Sequence, residues 1–151
     1  LIPEAVRSHV DYTSSILLED VKLMPGAGEL LEAQQAASVT LAVFTNKRGD
    51  QARRICDHLG VTRFMRGVFG AKDTPWLKPQ PEFAAHVLTQ LGARPETTLL
   101  LGDSPFDVQA AHNGGFACWC VTTGTHDATQ LHAAGAEGVY PDFFAVQAAL
   151  S

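Results

Sequence analysis

The sequence is poor in the features that mark specialised classes of protein. Cysteine occurs only at Cys56, Cys118 and Cys120, at spacings that fit neither a disulfide framework nor a zinc site. The three therefore read as reduced core thiols of a cytosolic protein. Charge is sparse at 18%, and its 11 basic and 16 acidic side chains give a net charge of −5 with no basic block. That balance offers no electrostatic reason to expect nucleic acid as a partner. No apolar run approaches the roughly 18 residues of a membrane span, and the first residues lack the basic, apolar and small-residue order of a signal peptide. A membrane or secreted protein is thus disfavoured. Repeats and low-complexity stretches are missing too, and the chain opens at Leu1 rather than at methionine.

What is present is ample apolar content. Residues of that kind make up 46% of 151, enough for a compact fold and, at roughly 100 to 200 residues per domain, a length for one domain. From Ala27 onward, helical periods alternate with short apolar runs, which predicts an α/β fold with a mostly parallel sheet. The strands are expected at Val39 to Phe44, Gly67 to Phe69, Thr97 to Leu101, Phe116 to Val121 and Gly138 to Tyr140. In Asp50 to Leu59, the residues Ala52, Ile55, Cys56 and Leu59 fall on one helical face, closed by Gly60. Pro81 to Leu91 repeats that design with Phe83, Ala84, Val87, Leu88 and Leu91, closed by Gly92. Further helices are expected at Ala27 to Ala36, Pro105 to Asn113, Asp127 to Ala134 and Asp142 to Leu150. Residues Pro3 to Leu17 also read as a helix, with Met24-Pro25-Gly26 breaking the chain before the α/β repeat.

In open parallel sheets ligands bind beyond the carboxyl ends of the strands. Thr45, Asn46 and Lys47 follow the first long apolar run; Gly102, Asp103, Ser104 and Asp107 follow another; Lys78-Pro79 precedes the Pro81 helix. A hydroxyl and backbone N–H groups at a helix start suit phosphate oxygens, and a lysine neutralises charge in phosphoryl transfer. Two carboxylates at one strand end suit a hard cation such as Mg²⁺. Each piece has a plainer explanation. Ser104-Pro105-Phe106-Asp107 is also a good helix start, with Ser104 as N-cap and Pro105 at the first helical position; Thr45-Asn46 could end a strand, and a lone lysine is commonly a solvated one. Only their combination and order point to a phosphate and metal site.

The string Leu99-Leu100-Leu101-Gly102-Asp103-Ser104-Pro105-Phe106-Asp107, continuing through a small-residue helix to Gly114-Gly115, resembles the fourth motif of the haloacid dehalogenase superfamily. Ala42-Val43-Phe44-Thr45-Asn46-Lys47 resembles its second motif, and Leu77-Lys78-Pro79-Gln80-Pro81 its third. The resemblance runs from Val21 to the end and is nearest the phosphoglycolate phosphatase-like branch. It implies a three-layer, Rossmann-like parallel sheet and a Mg²⁺-dependent phosphatase acting on a small phosphorylated metabolite. By the same resemblance Thr45 and Lys78 would contact the transferring phosphoryl group, Asn46 would help orient substrate, Asp103 would bind Mg²⁺, and Asp107 would support the metal or its waters. Such enzymes form an aspartyl-phosphate on one aspartate and hydrolyse it with water activated by a second.

The family's first motif, an apolar strand followed by D-x-D-G-T, has no match here. Asp11 lies in a helical stretch, and Asp20 follows Glu19 just before Met24-Pro25. On this reading residues 1–22 are the remnant of a helical cap with its linker, and residues 23–151 are a core lacking its first strand. The strands of the second and fourth motifs would then share no neighbour, leaving two apolar edges that an N-terminal segment or another chain must complete. The alternative is a catalytically inactive, truncated relative that serves as a binding or interaction module. An unrelated nucleotide-binding module is disfavoured, because no G-x-G-x-x-G follows any strand.

Overall fold

A computed structural model describes residues 5–7 and 23–151. The described strands are β1 (Ala5–Arg7), β2 (Thr40–Arg48), β3 (Met65–Ala71), β4 (Thr98–Gly102), β5 (Ala117–Val121) and β6 (Gly138–Tyr140). The described helices are α1 (Ala27–Ala36), α2 (Gly49–Leu59), α3 (Pro81–Leu91), α4 (Pro105–Gly114), α5 (Ala128–Ala133) and α6 (Phe143–Leu150). The strands form one sheet in the order β3-β2-β1-β4-β5-β6, and each described pair is parallel.

Both faces of the sheet are covered, and the strand residues alternate between two cores as the period of two requires. Ala42, Phe44, Leu100, Cys118 and Cys120 face α3, α4 and α5, packing with Phe83, Val87, Ala111 and Leu131. Leu41, Leu99, Leu101 and Val121 face α1, α2 and α6, packing with Leu30, Leu31, Cys56, Phe143 and Val146. The architecture is therefore the three-layer α/β fold expected. Gly60 and Gly92 stop α2 and α3 in the left-handed conformation, at φ 72° and 62°, which a residue with a Cβ reaches only at a cost.

The chain order reverses at the centre. It runs outward from β1 through β2 to β3, crosses back with α3 to β4, and then runs outward to β6. The order of the chain thus reverses at β1, and in such sheets the crevice beyond the carboxyl ends of the strands at that reversal is the usual ligand position.

Two expectations give way. β2 does not stop at Phe44 but continues to Arg48, with Arg48 pairing with Ala71 of β3 across an irregularity after Phe44. Its polar end carries no apolar signal, and backbone pairing alone keeps it extended. Ala5–Arg7 is strand rather than helix, and it lies between β2 and β4, level with Thr40–Ala42 and Thr98–Leu100. The two apolar strands therefore share a neighbour, contrary to the expected gap in the sheet. The Val6, Val10 spacing favours a helix locally, but two flanking apolar strands need backbone partners, and that tertiary demand overrides propensity. The rest of the expected helix over Pro3 to Leu17, together with Asp11 and Asp20, lies outside the described residues.

Candidate active site

Thr45, Asn46, Lys78, Asp103, Ser104 and Asp107 come from four segments that converge at the carboxyl ends of β2 and β4. Thr45 and Asn46 lie in the polar end of β2, and Asp103-Ser104 is the turn from β4 into α4. Ser104 is the N-cap of α4 and accepts from the Asp107 N–H, with Pro105 at the first helical position. The helix-start reading and the site reading are thus compatible, because the cap is what places Asp107 in the crevice.

Lys78 and Asp107 are the centre of the cluster. The lysine Nζ donates to Asp107 Oδ1 at 2.8 Å, and the two side chains are only 6% and 3% exposed. Nζ also donates to the Phe44 carbonyl at 3.3 Å and lies 5.3 Å from the centre of the Phe44 ring. The other carboxylate oxygen, Asp107 Oδ2, accepts from the Asp103 N–H at 3.1 Å and from the Ser104 hydroxyl at 3.2 Å. Desolvating two charges costs several kcal/mol each, so a pair this buried survives only when its remaining valences are satisfied. The donors on Asp107 meet that condition.

Thr45 Oγ1 accepts from the Lys47 N–H at 3.1 Å. That bond fixes the hydroxyl oxygen and leaves its own hydrogen to be donated. Asn46 makes a two-point contact with the Lys78 main chain: its Oδ1 accepts from the Lys78 N–H at 2.7 Å, and its Nδ2 donates to the Lys78 carbonyl at 3.0 Å.

Two glycines let the carboxylates approach the backbone. A Cβ on Gly102 would overlap the Asp107 side chain, and one on Gly124 would stand 2.5 Å from Asp103 Oδ2. The loop after β5 therefore walls the Asp103 side of the crevice. On the β3 side, Arg53 grips Asp73 through both oxygens at 3.0 and 3.1 Å. Those hydrogen bonds, with help from the Gly70 N–H, outweigh burial and hold the Asp73 carboxyl below its ordinary range.

The donor set can be tested against Mg²⁺, which takes oxygen ligands and is commonly held by one or two carboxylates plus waters and phosphate oxygens. Asp103 at the head of β4 suits that role. Asp107 suits it less as a direct ligand, since both its oxygens already accept protein hydrogens. Among the described residues no group of three or more His, Cys, Asp or Glu gathers that could by itself hold a metal ion.

Residues 2–121 match the family model described as haloacid dehalogenase-like hydrolase. The chain belongs to that family. A phosphoglycolate phosphatase of Pseudomonas syringae is 35% identical over 100 residues, which is 66% of this chain and 37% of that protein. A probable phosphatase, IndB, of Dickeya dadantii is 32% identical over 121 residues, covering 80% of this chain and 53% of that one. Among solved structures, a predicted phosphoglycolate phosphatase from Haemophilus somnus superposes with a TM-score of 0.79 at 28% identity, over 85% of this chain and 57% of that one. These likenesses place the haloacid dehalogenase-like chain in the phosphoglycolate phosphatase-like branch. The chain spans about half the length, or less, of the curated relatives it matches.

Sequence reasoning passed over Asn113 and Gly124. Asn113 Nδ2 donates to the Pro79 carbonyl at 2.7 Å, across 34 positions, and Gly124 packs on Asp103. Gly124 lies outside the three motif strings, and Asn113 lies within the fourth but was given no role there. An amide just before the Gly114-Gly115 stop of α4 was the available signal.

Proposed function

We propose that this chain carries most of the core of a phosphatase that hydrolyses a phosphoric monoester of a small metabolite, with Mg²⁺ as its metal and phosphoglycolate-like compounds as the substrate class. The observation that carries the reading is the buried Lys78–Asp107 pair at the carboxyl ends of β2 and β4, 2.8 Å apart. A cation held this firmly beside a hydroxyl and a helix N-terminus is a preorganised receptor for phosphoryl oxygens, costing no reorganisation when charge develops. Thr45 donates its hydroxyl hydrogen to the phosphoryl group, Lys78 neutralises its charge, and Asn46 holds the lysine's segment in place. Asp103 would hold Mg²⁺, and Asp107 would orient both Lys78 and the Asp103 turn. When bound, the metal supplies charge neutralisation on the phosphoryl oxygens.

The attacking carboxylate is not among the described residues. β1, Ala5–Arg7, contains no aspartate, and no D-x-D-G-T string follows an apolar run anywhere in the sequence. That observation favours a second reading, an anion-binding relative without turnover.

The two readings separate by experiment. Hydrolysis of p-nitrophenyl phosphate by the complete gene product is expected to need Mg²⁺. Lys78→Ala and Asp103→Asn should each lower kcat/KM by about 100-fold or more, the scale of losing one charge-stabilising group. Circular dichroism should show the fold retained. Hydrolysis unaffected by Lys78→Ala would overturn the phosphatase assignment of this site. Orthophosphate binding with no turnover in the complete product would select the second reading.

A further inference from the structure

The Lys78 segment is held from two sides by side-chain amides, one from the end of β2 and one from the last turn of α4. Asn46, at the end of β2, makes both of its bonds to the Lys78 main chain, at 2.7 and 3.0 Å. Asn113, in the last turn of α4, donates to the carbonyl of the next residue, Pro79, at 2.7 Å. Gln80 closes the same turn from within: its Oε1 accepts from the Leu77 N–H, and its own N–H donates to the Leu77 carbonyl, both at 2.8 Å. Asn46 and Asn113 are both exposed at the surface, whereas the ammonium they serve is almost fully buried.

We infer that Asn113 and Asn46 are positioning residues that form a two-sided amide bracket on Lys78-Pro79 and so fix where the Lys78 ammonium sits. The geometry gives each a distinct job. Asn46 matches the donor and acceptor of one residue and so sets the height of Lys78 against β2. Asn113 ties the following carbonyl to the far end of α4. That helix begins at Pro105 and carries Asp107 in its first turn. The lysine's main chain and its carboxylate partner are thereby referred to one rigid element. A loop held only by its own turn would let the ammonium swing, and placement within a few tenths of an ångström is what preorganised charge stabilisation requires.

A merely structural role for Asn113 predicts a different outcome from a positioning role. Asparagine is a poor helix residue and alanine the best, so Asn113→Ala should leave thermal stability level or slightly raised. The bracket, by contrast, predicts that Lys78 loosens in that variant. The test uses amine acylation read by mass spectrometry on the native chain, with exposed Lys72 as the internal reference. In the wild type Lys78 should acylate far more slowly than Lys72. In Asn113→Ala and in Asn46→Ala the Lys78 to Lys72 rate ratio should rise by about five- to ten-fold, the equilibrium weight of one lost hydrogen bond. Asn113→Gln, which keeps a donor, should restore part of the protection. A ratio unchanged within about two-fold in both alanine variants would overturn the inference.

The inference rests on the phosphate-site reading, and a second titration keeps the two apart. Orthophosphate affinity is measured on the same proteins. Weaker binding in both alanine variants with an unchanged melting temperature supports the bracket as part of the site. A wild-type protein that binds no orthophosphate while the acylation ratio still responds would defeat the phosphate reading and leave the positioning role standing. Tight orthophosphate binding with an unresponsive ratio would do the reverse.

Discussion

At the scale of single residues, the described cysteines show how burial sets chemistry. Cys118 and Cys120 lie on the same face of β5, with their sulfurs 3.7 Å apart, and both are inaccessible. Cys56 lies on the buried face of α2, where burial, helped by the Asp57 charge, pushes its thiol up to about 11. The reactive species is the thiolate, so at pH 8 Cys56 should be alkylated by iodoacetamide at least about 100-fold more slowly than free cysteine. Intact mass should show no carbamidomethyl group on the native chain and three after denaturation. Rapid native modification of Cys56 would contradict its placement. A thiol that keeps its proton longer in the folded state lends stability below the unfolded value, and that contribution is lost as pH climbs through the folded one. The residues of the crevice were legible in sequence as types in an order. Their partners were not: nothing in the spacing says that Lys78 spends its charge on Asp107, or that Asn46 reads the lysine's main chain, because contacts over 29 and 32 positions are set by the sheet.

At the scale of elements, helices were legible because each buries an apolar face and several carry a chemical signal at one end. α2, α3 and α4 stop at Gly60, Gly92 and Gly115, and α5 starts on a reciprocal cap between Asp127 and Gln130. One stretch that escaped was the polar half of β2, whose Thr-Asn-Lys-Arg string gives no alternation to read. Helix contacts also hold a local inconsistency. Gln34 of α1 is 3% exposed and donates to Gln147 of α6 at 3.0 Å, but its own Oε1 is buried with no hydrogen-bond partner among the described residues. An unpaired buried carbonyl costs about 1–3 kcal/mol. Gln34→Met keeps the length of the side chain and removes that acceptor, while half-buried Gln147 can turn to water. We expect the urea midpoint to rise, by about 1 kcal/mol in stability. A fall of that size would mean that the Gln34–Gln147 bond outweighs the orphaned oxygen.

At the scale of the whole molecule, the sheet depends on its shortest central member. β1 pairs on both sides, with Thr40–Ala42 and with Thr98–Leu100, and joins the half formed by β2 and β3 to the half formed by β4, β5 and β6. Its described pairing ends two residues short of Phe44 and Gly102, so the two site-bearing strands run on past it toward the crevice. The chain reads locally as helix here, and only the sheet makes it a strand; short-range pattern cannot report a demand that arises from pairing partners 35 and more positions away. Such an element should be sensitive to backbone chemistry above all. Val6, level with Leu41 and Leu99, sits where proline can neither donate to a ladder nor fit between two strands. Val6→Pro is expected to lower stability by at least about 1–3 kcal/mol, the cost of leaving a buried partner unsatisfied. It should also expose the facing edges of β2 and β4, both apolar and flat enough to pair with another chain. Urea unfolding should show the lower midpoint, and light scattering should show concentration-dependent association of the variant. An unchanged midpoint in a monomeric Val6→Pro protein would mean that residues 5–7 do not hold the centre of the sheet, and that the two halves are joined through their helices alone.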